Sequence, residues 1–280
     1  MKLLKRLLQE KLSLSEFETI QSAFDIIGHI AIVKISNDLE DKEQLISNTI
    51  LDNIPNVSSV YAQVEKIEGP FRLRSLKFLA GVELSKTIYK ENGCKFIVDV
   101  SDVYFTPRLS YERLRLSNLI QPNEVVVNLF GGIAPFSIVI AKHNPTVKCY
   151  SVDINPKAID LASENVKINK LFGKVIPVLG NSDLIIKENL FGKATRVLMP
   201  LPESSNSHLY SALNALSPNG GVIHYYRHVF ARGKDEALDK VNSEISEIIG
   251  HQWKFISSRI VREIGPRWFE VVVDFWARMN

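Results

Sequence analysis

The sequence predicts an α/β protein in which a doubly wound, Rossmann-like parallel sheet follows a smaller α/β domain. From residue 124 onward, short apolar segments alternate with helical segments of 8 to 14 residues, which is typical of parallel strands covered by helices on both faces. A glycine turn follows the first of these strands, and an acidic residue ends the second. Two long β-type segments close the chain, so we expect the sheet to end in an antiparallel hairpin.

Length and composition are those of a soluble globular protein. The 280 residues are 45% hydrophobic, which suffices for one large core, or for a core of about 150 residues beside a smaller one. Cys94 and Cys149 form no CxxC motif or cysteine–histidine cluster, so neither a disulfide framework nor a metal site is expected, and a reduced, cytoplasmic compartment fits best. The apolar runs of residues 1–14 are too short for a signal peptide or a membrane span.

We predict three segments: an amphipathic helix within residues 1–20, a small α/β domain over 21–120 and the sheet domain over 121–280. Glu68–Pro70 resembles a hinge. The elements predicted in the small domain are strands His29–Ile35, Val57–Val64 and Lys95–Val100, and helices Asp41–Ile54, Gly81–Glu91 and Ser110–Leu119. Those predicted in the sheet domain are strands Val125–Phe130, Val147–Val152, Val175–Leu179, Arg196–Met199 and Val222–Tyr226, helices Pro135–Lys142, Pro156–Asn169 and Ser207–Leu216, and a hairpin of Trp253–Val261 with Trp268–Phe275.

Positive charge is concentrated in residues 66–115. This segment has ten Lys or Arg residues against six Asp or Glu, whereas the whole chain has a net charge of only +3. A local basic excess suits contact with a phosphate backbone. An ordinary solvated face explains the charge equally well, so charge alone does not decide between the two.

The glycine turn Phe130-Gly131-Gly132 lies where the first strand of the sheet domain leads into a helix. Glycines there let a ligand approach the backbone, and the helix N-terminus offers unpaired N–H groups. Two adjacent glycines followed by a proline differ from the G-x-G-x-x-G of dinucleotide sites, which favours a ligand with amino and carboxylate groups. Asp153 ends the second strand 22 residues after Gly131, a spacing at which a carboxylate binds ribose hydroxyls. Helix capping is the alternative.

Residues after the next two strands complete the predicted site. Asn181 and Asp183 lie where an adenine amino group would be recognised, or they form a turn. Pro200, Leu201 and Pro202 follow the fourth strand, at the carboxyl edge where α/β sheets bind substrates. This loop lacks the [N/D]-P-P-[Y/F] motif of amino-group methyltransferases, which argues against methylation of an exocyclic amine. Neither cysteine is placed for methylation of pyrimidine carbon 5.

Segments in order along most of the chain resemble the archaeal and eukaryotic tRNA (guanine-N1)-methyltransferase family. They are Phe24–Gly28, Arg72 with Leu79–Gly81, Glu91–Gly93, Val103–Arg108, Glu112-Arg113, FGGIAPF at 130–136, DINPKAI at 153–159 and Gly220–Tyr226. The resemblance implies a class I methyltransferase fold and a monomeric, short-form archaeal member with no membrane contact. It also implies transfer of a methyl group from S-adenosylmethionine to N1 of guanosine 37, in the anticodon region of tRNA.

The same resemblance implies roles for individual residues. Glu112 would be the general base, Arg72 would contact the guanine carbonyl, and Tyr104 and Arg108 would support the active site. Phe130, Gly131, Gly132, Asp153, Ile154, Asn181 and Asp183 would bind the cofactor. The chemistry agrees, because guanine N1 holds a proton at neutral pH, and a guanidinium stabilises the charge that grows on O6 as this proton leaves. Without the resemblance, we would interpret Glu112 as a surface partner of Arg108, and phosphate binding would explain Arg72 as well as guanine contact does.

Three positions depart from the family pattern. Pro200 replaces the asparagine of the usual Asn-Leu-Pro, and Asn128 and Asn181 stand where aspartates are common. An asparagine still accepts a hydrogen bond, so the departures affect the choice of substrate more than the cofactor pocket. One alternative is a wyosine-pathway enzyme that acts on the tricyclic base at the same tRNA position, by carbon methylation or aminocarboxypropyl transfer. Another is a non-catalytic tRNA-binding protein.

Overall fold

The computed structural model describes residues 3–21, 23–64, 69, 71–250 and 253–278, and it divides into two compact units, Met1–Ser110 and Tyr111–Asn280. The predicted hinge lies outside the described residues, apart from Gly69. The units divide at residue 110, whereas the sequence predicts a boundary at 120. The reason is that the segment after Ser110 bonds to the second unit: Arg115 pairs with Asp274, and Asn144 donates to the carbonyl of Ser117.

The first unit contains a four-stranded sheet and a separate hairpin. Its strands are β1 (Asp25–Ile27), β2 (Ile30–Val33), β3 (Ser59–Gln63) and β4 (Leu76–Gly81), adjacent in that order, with β2 and β3 parallel. Its helices are α1 (Leu3–Leu8), α2 (Leu14–Thr19) and α3 (Glu43–Asn53). Leu4 and Leu8 of α1 pack with α3 in the core. The single amphipathic helix predicted within residues 1–20 is therefore two helices, because Ser13 forms a capping box with Glu16 and starts α2.

The predicted helix over Gly81–Glu91 is wrong. Residues Lys86–Glu91 form β5, which pairs antiparallel with β6 (Cys94–Asp99). Between the two strands, Asn92 and Gly93 have φ angles of 46° and 71°, which are the left-handed values of a two-residue hairpin turn. The Asn-Gly dipeptide between alternating segments was the available signal, and its turn geometry outweighs helix propensity here.

The second unit is a seven-stranded sheet with helices on its faces. Its strands are β7 (Val125–Asn128), β8 (Lys148–Asp153), β9 (Val175–Leu179), β10 (Arg196–Met199), β11 (Gly221–Phe230), β12 (Trp253–Gly265) and β13 (Trp268–Ala277). Their order is β12-β13-β11-β10-β7-β8-β9. The helices are α4 (Ser110–Leu119), α5 (Pro135–His143), α6 (Pro156–Ile168), α7 (Ser182–Ile185), α8 (Leu209–Ala215) and α9 (Lys234–Ile249).

This topology confirms the predicted fold class. Strands β7 to β11 are parallel, and β13 runs antiparallel to both β11 and β12, so the sheet ends in the expected hairpin. The strand order reverses beside β7, and ligands of doubly wound sheets bind at the carboxyl edge at such a point. Helix α9 was not predicted, although its buried residues Ala237, Val241, Ile245 and Ile249 recur at helical spacing. Within the described residues, no helix is both long and apolar enough to cross a membrane.

Candidate active site

The glycine turn lies against the end of β8. The Gly131 amide donates to the carbonyl oxygen of Val152 at 2.7 Å, and a Cβ atom on Gly131 would lie 2.1 Å from Ser151 Oγ. A larger residue at Gly131 would therefore require the Ser151 hydroxyl or the turn itself to move. Gly132 and Ala134 have φ angles of 54° and 64° as the chain enters α5. The backbone of the turn consequently forms the surface that a ligand would meet at this edge.

Asp153 joins this turn to the start of α6. Its Oδ2 accepts a hydrogen bond from the Gly132 amide at 2.6 Å, and its Oδ1 accepts one from the Asn155 amide at 2.9 Å. Burial raises the pKa of Asp153, and the backbone N–H groups of Asn155, Gly132 and Ile154 oppose that shift. The helix-capping alternative is wrong, because the side chain of Asn155 caps α6 by accepting from the Lys157 amide. The structure thus brings the predicted glycine turn and Asp153 together.

Asn181 and Asp183 are engaged with the protein itself. Asn181 caps α7, its Oδ1 accepting from the amides of Asp183 and Leu184, so it has the turn role weighed from the sequence. Asp183 Oδ1 bonds to His208 Nδ1 at 2.9 Å and also accepts from Ser211. The His208 ring lies 5.0 Å from the ring of Phe130 in the glycine turn. Sequence reasoning missed His208, because no motif or spacing connects it to the residues that it contacts.

Hydrogen bonds from two directions fix the predicted substrate loop, Pro200–Pro202. Ser205 Oγ donates to the carbonyl oxygens of Met199 and Leu201 at 3.1 and 2.8 Å. Arg227 Nη1 and the amide of His228 each lie 3.2 Å from the carbonyl oxygen of Pro202. Pro200 has neither a side-chain amide nor a backbone N–H, so it offers a substrate base no hydrogen-bond donor.

Three of the predicted catalytic residues lie in one cluster in the first unit. The guanidinium of Arg72 stands over the ring of Tyr104, 5.1 Å from its centroid, and Arg74 lies 5.6 Å from the same centroid. Asp25 accepts from Arg74 at 3.1 Å and from Arg108 at 2.6 Å. Asp25 is thus the residue that joins Arg108 to Arg72 and Tyr104 through Arg74. It belongs to the Phe24–Gly28 segment of the resemblance, but it was not singled out.

Glu112 lies in the second unit and is only 2% exposed. Its Oε1 accepts from the Tyr226 hydroxyl at 2.6 Å and from Arg115 Nη2 at 2.8 Å. Its Oε2 accepts from Arg115 Nε at 3.0 Å and from Arg259 Nη1. The interpretation as a surface partner of Arg108 is therefore wrong, because Glu112 is buried and Arg108 pairs with Asp25. Four donors surround a carboxylate that has about four lone-pair positions.

Two family models match this chain: the TRM5/TYW2 methyltransferase domain over residues 87–251 and the TYW2 N-terminal domain over residues 4–84. The tRNA (guanine(37)-N(1))-methyltransferase Trm5b of Pyrococcus abyssi is 37% identical over 91% of the chain and 75% of its own length. The tRNA 4-demethylwyosine(37)-methyltransferase Taw21 of Saccharolobus solfataricus is 33% identical over 94% of the chain and 97% of its own length. A solved complex of aTrm5 and tRNALeu is similar with a TM-score of 0.86 and 34% identity, covering 98% of this chain and 78% of the solved one.

Proposed function

This chain belongs to the TRM5/TYW2 methyltransferase family, and from that membership we propose that it methylates N1 of guanosine 37 in tRNA. The methyl donor is S-adenosylmethionine, which supplies an electrophilic methyl group on a positively charged sulfur. The observation that best supports methyl transfer is the junction of the glycine turn with Asp153. There, at the carboxyl edge of β7 and β8, the Gly132 amide donates to Asp153 Oδ2 at 2.6 Å. A relative solved with tRNALeu supports tRNA as the partner.

The residues around this junction fit the cofactor. Asp153 can accept hydrogen bonds from ribose hydroxyls through the lone pairs that the backbone amides leave. Ile154, next to it, is 46% exposed and offers an apolar surface to a base. Because Gly131 has no side chain, the glycine turn can lie against β8, and we expect the N–H groups at the start of α5 to meet the carboxylate of the cofactor. Each of these assignments is a prediction for mutagenesis.

We assign removal of the guanine N1 proton to Glu112. Its carboxylate is already oriented, but its hydrogen-bonding positions are occupied, so one donor must leave before N1–H can bind. Arg259 is the donor that leaves most easily, since its side chain is 31% exposed while Arg115 is 15% exposed. The O6 contact is assigned to Arg72, whose guanidinium is oriented over Tyr104. A guanidinium there lowers the cost of removing the proton by stabilising the charge that develops on O6.

A second candidate function is methylation of 4-demethylwyosine at the same position. Two observations favour it. Taw21 matches this chain over 97% of its own length, whereas Trm5b matches over 75%. Pro200 also removes the asparagine amide that the sequence pattern of guanine-N1 enzymes places after the fourth strand.

Competition between two substrates distinguishes the candidates. One tRNA transcript carries guanosine 37, the other carries 4-demethylwyosine at position 37, and both are mixed with the enzyme and labelled S-adenosylmethionine. Nucleoside mass spectrometry then gives the ratio of kcat/KM for the two substrates. Preferential formation of N1-methylguanosine supports the proposal. Preferential methylation of the tricyclic base supports the second candidate, and a product with an aminocarboxypropyl group would contradict both.

A further inference from the structure

Arg115 lies between two buried carboxylates. On one side its Nε and Nη2 atoms bond to Glu112, as described above. On the other, its Nη1 and Nη2 atoms donate to Asp274 of β13 at 2.6 and 3.3 Å. Asp274 is 2% exposed. With a carboxylate on each side, the plane of the Arg115 guanidinium is fixed, and that plane fixes the orientation of Glu112.

Asp274 is itself held by β11 and β12. His224, its direct partner across β11 and β13, lies 2.6 Å away through Nδ1, and Ser257 donates to it at 3.1 Å. The other ring nitrogen of His224 accepts from Arg196 Nη1 at 2.6 Å, because an arginine can only donate. His224 is therefore the neutral tautomer with its proton on Nδ1, directed at Asp274. Arg196 in turn pairs with Glu124 at 2.6 Å.

The pKa shifts of the groups around Arg115 agree with a neutral His224 and a charged Asp274. Burial lowers the pKa of His224, which keeps the ring neutral. Burial alone would raise the pKa of Asp274, but His224 and Arg115 outweigh it and hold that pKa well below its ordinary value. Burial and the negative charge of Glu112 keep the pKa of Tyr226 well above its ordinary value, so its hydroxyl remains a donor to Glu112. Asp274 also shares the positive charge of Arg115 with Glu112, so that this charge is not neutralised by Glu112 alone.

We propose that Asp274, oriented by His224, is a positioning residue for methyl transfer: it holds Arg115 so that the guanidinium presents Glu112 to the proton on N1. This inference rests on the proposed role of Glu112. Asp274 acts through Arg115 and need not touch the substrate. Replacing it should therefore affect the rate of the chemical step and leave the binding of cofactor and tRNA intact.

Asp274→Asn keeps the size of the side chain and removes its charge. We expect the single-turnover rate of methyl transfer to fall about ten- to a hundredfold, by analogy with residues that orient metal ligands through hydrogen bonds. Dissociation constants for S-adenosylmethionine and tRNA should remain at wild-type values. The matched control is Glu270→Gln, a buried carboxylate on the same strand that pairs with Arg262 at 2.6 Å and makes no bond to Glu112 or Arg115. If Asp274→Asn loses cofactor binding through misfolding, Arg115→Lys tests the same link, since it keeps the charge but cannot form both bonds to Glu112.

A double-mutant cycle separates this inference from the role of Glu112. If Asp274 acts through Glu112, Asp274→Asn should have almost no further effect on the rate of the Glu112→Gln variant. Rate losses that multiply in the double variant would overturn the positioning role, as would a wild-type rate for Asp274→Asn, and both results would leave Glu112 as the base. A wild-type rate for Glu112→Gln alone would instead overturn the role of Glu112 and the inference built on it.

Discussion

At the scale of single residues, Asp153 is the clearest link between sequence and chemistry. Asp153→Ala should weaken the binding of S-adenosylmethionine, because it removes the carboxylate that we propose binds the ribose hydroxyls. The loss of a charge-assisted hydrogen bond costs about 1.5–3 kcal/mol, or roughly ten- to a hundredfold in affinity. Isothermal titration calorimetry measures this directly. Asp160→Ala, an exposed aspartate on α6, is the control, and equal affinities for the two variants would remove Asp153 from the site.

Glu112→Gln tests the proton acceptor. Glutamine preserves the shape of the side chain but cannot accept the N1 proton, so the single-turnover rate should fall about 10²–10⁴-fold at neutral pH. The defect should shrink as pH rises, because hydroxide increasingly removes the guanine proton without the enzyme. Rates measured across pH for wild type and variant check both statements. A defect that is constant across pH would indicate a purely structural role for Glu112.

Only part of this site could be predicted from sequence. Asp153 and the glycine turn are 22 residues apart in one βα unit, and the connection between them follows from the geometry of that unit. The partners of Glu112 could not be found in this way, because Tyr226 and Arg259 follow it by 114 and 147 residues. Only the pairing of β11, β12 and β13 brings them beside α4. The importance of Asp25 and His208 depends in the same way on tertiary contacts.

At the scale of secondary-structure elements, the parallel strands were predictable and the hairpin of β5 and β6 was not. Continuous apolar segments between helical segments identify buried parallel strands, and the structure confirms each of the five. The residues before Asn92 are compatible with either a helix or a strand. Because this strand pairs only with β6, it is not buried inside a larger sheet and has no long apolar run. Turn chemistry at Asn92-Gly93 decides its structure.

The β5–β6 hairpin carries part of the positive charge predicted to contact RNA. Lys90 and Lys95 are exposed and directly opposite each other across the two strands. Like charges so placed destabilise a hairpin, and a bound phosphate would relieve that repulsion. Lys90→Glu should therefore preserve or increase thermal stability while it weakens tRNA binding and lowers the slope of log K against log salt by about 1.

Filter binding at several salt concentrations measures this slope. The matched control is Lys167→Glu, an exposed lysine on α6 of the second unit. Equal tRNA affinity for Lys90→Glu and wild type would show that this hairpin does not contact the phosphate backbone.

At the scale of the whole molecule, buried carboxylates make stability depend on pH. The folded pKa values of Asp274 and Glu270 lie below their ordinary values, despite burial, because His224, Arg115, His228 and Arg262 stabilise the charged forms. Stability from such groups is present above the unfolded pKa and is lost as pH falls through the folded one. The folded pKa of Asp153 is raised, so its charged form lowers the free energy of unfolding at neutral pH, and this destabilisation disappears as the carboxylate is protonated in acid.

We therefore expect the free energy of unfolding to decrease as pH falls below about 4. The decrease should be smaller for Asp274→Asn, so that the difference between this variant and wild type narrows in acid. Urea unfolding at a series of pH values measures both curves. Parallel curves would contradict the lowered pKa of Asp274.

Methylation of N1 of guanosine 37 is the activity on which the other assignments depend. Its most direct test is nucleoside mass spectrometry of unmodified tRNA after a single turnover with S-adenosylmethionine, beside the same tRNA with adenosine at position 37. We expect N1-methylguanosine from the first tRNA, at position 37 only, and no methylated product from the second. Absence of N1-methylguanosine from an enzyme that binds both cofactor and tRNA would contradict this activity.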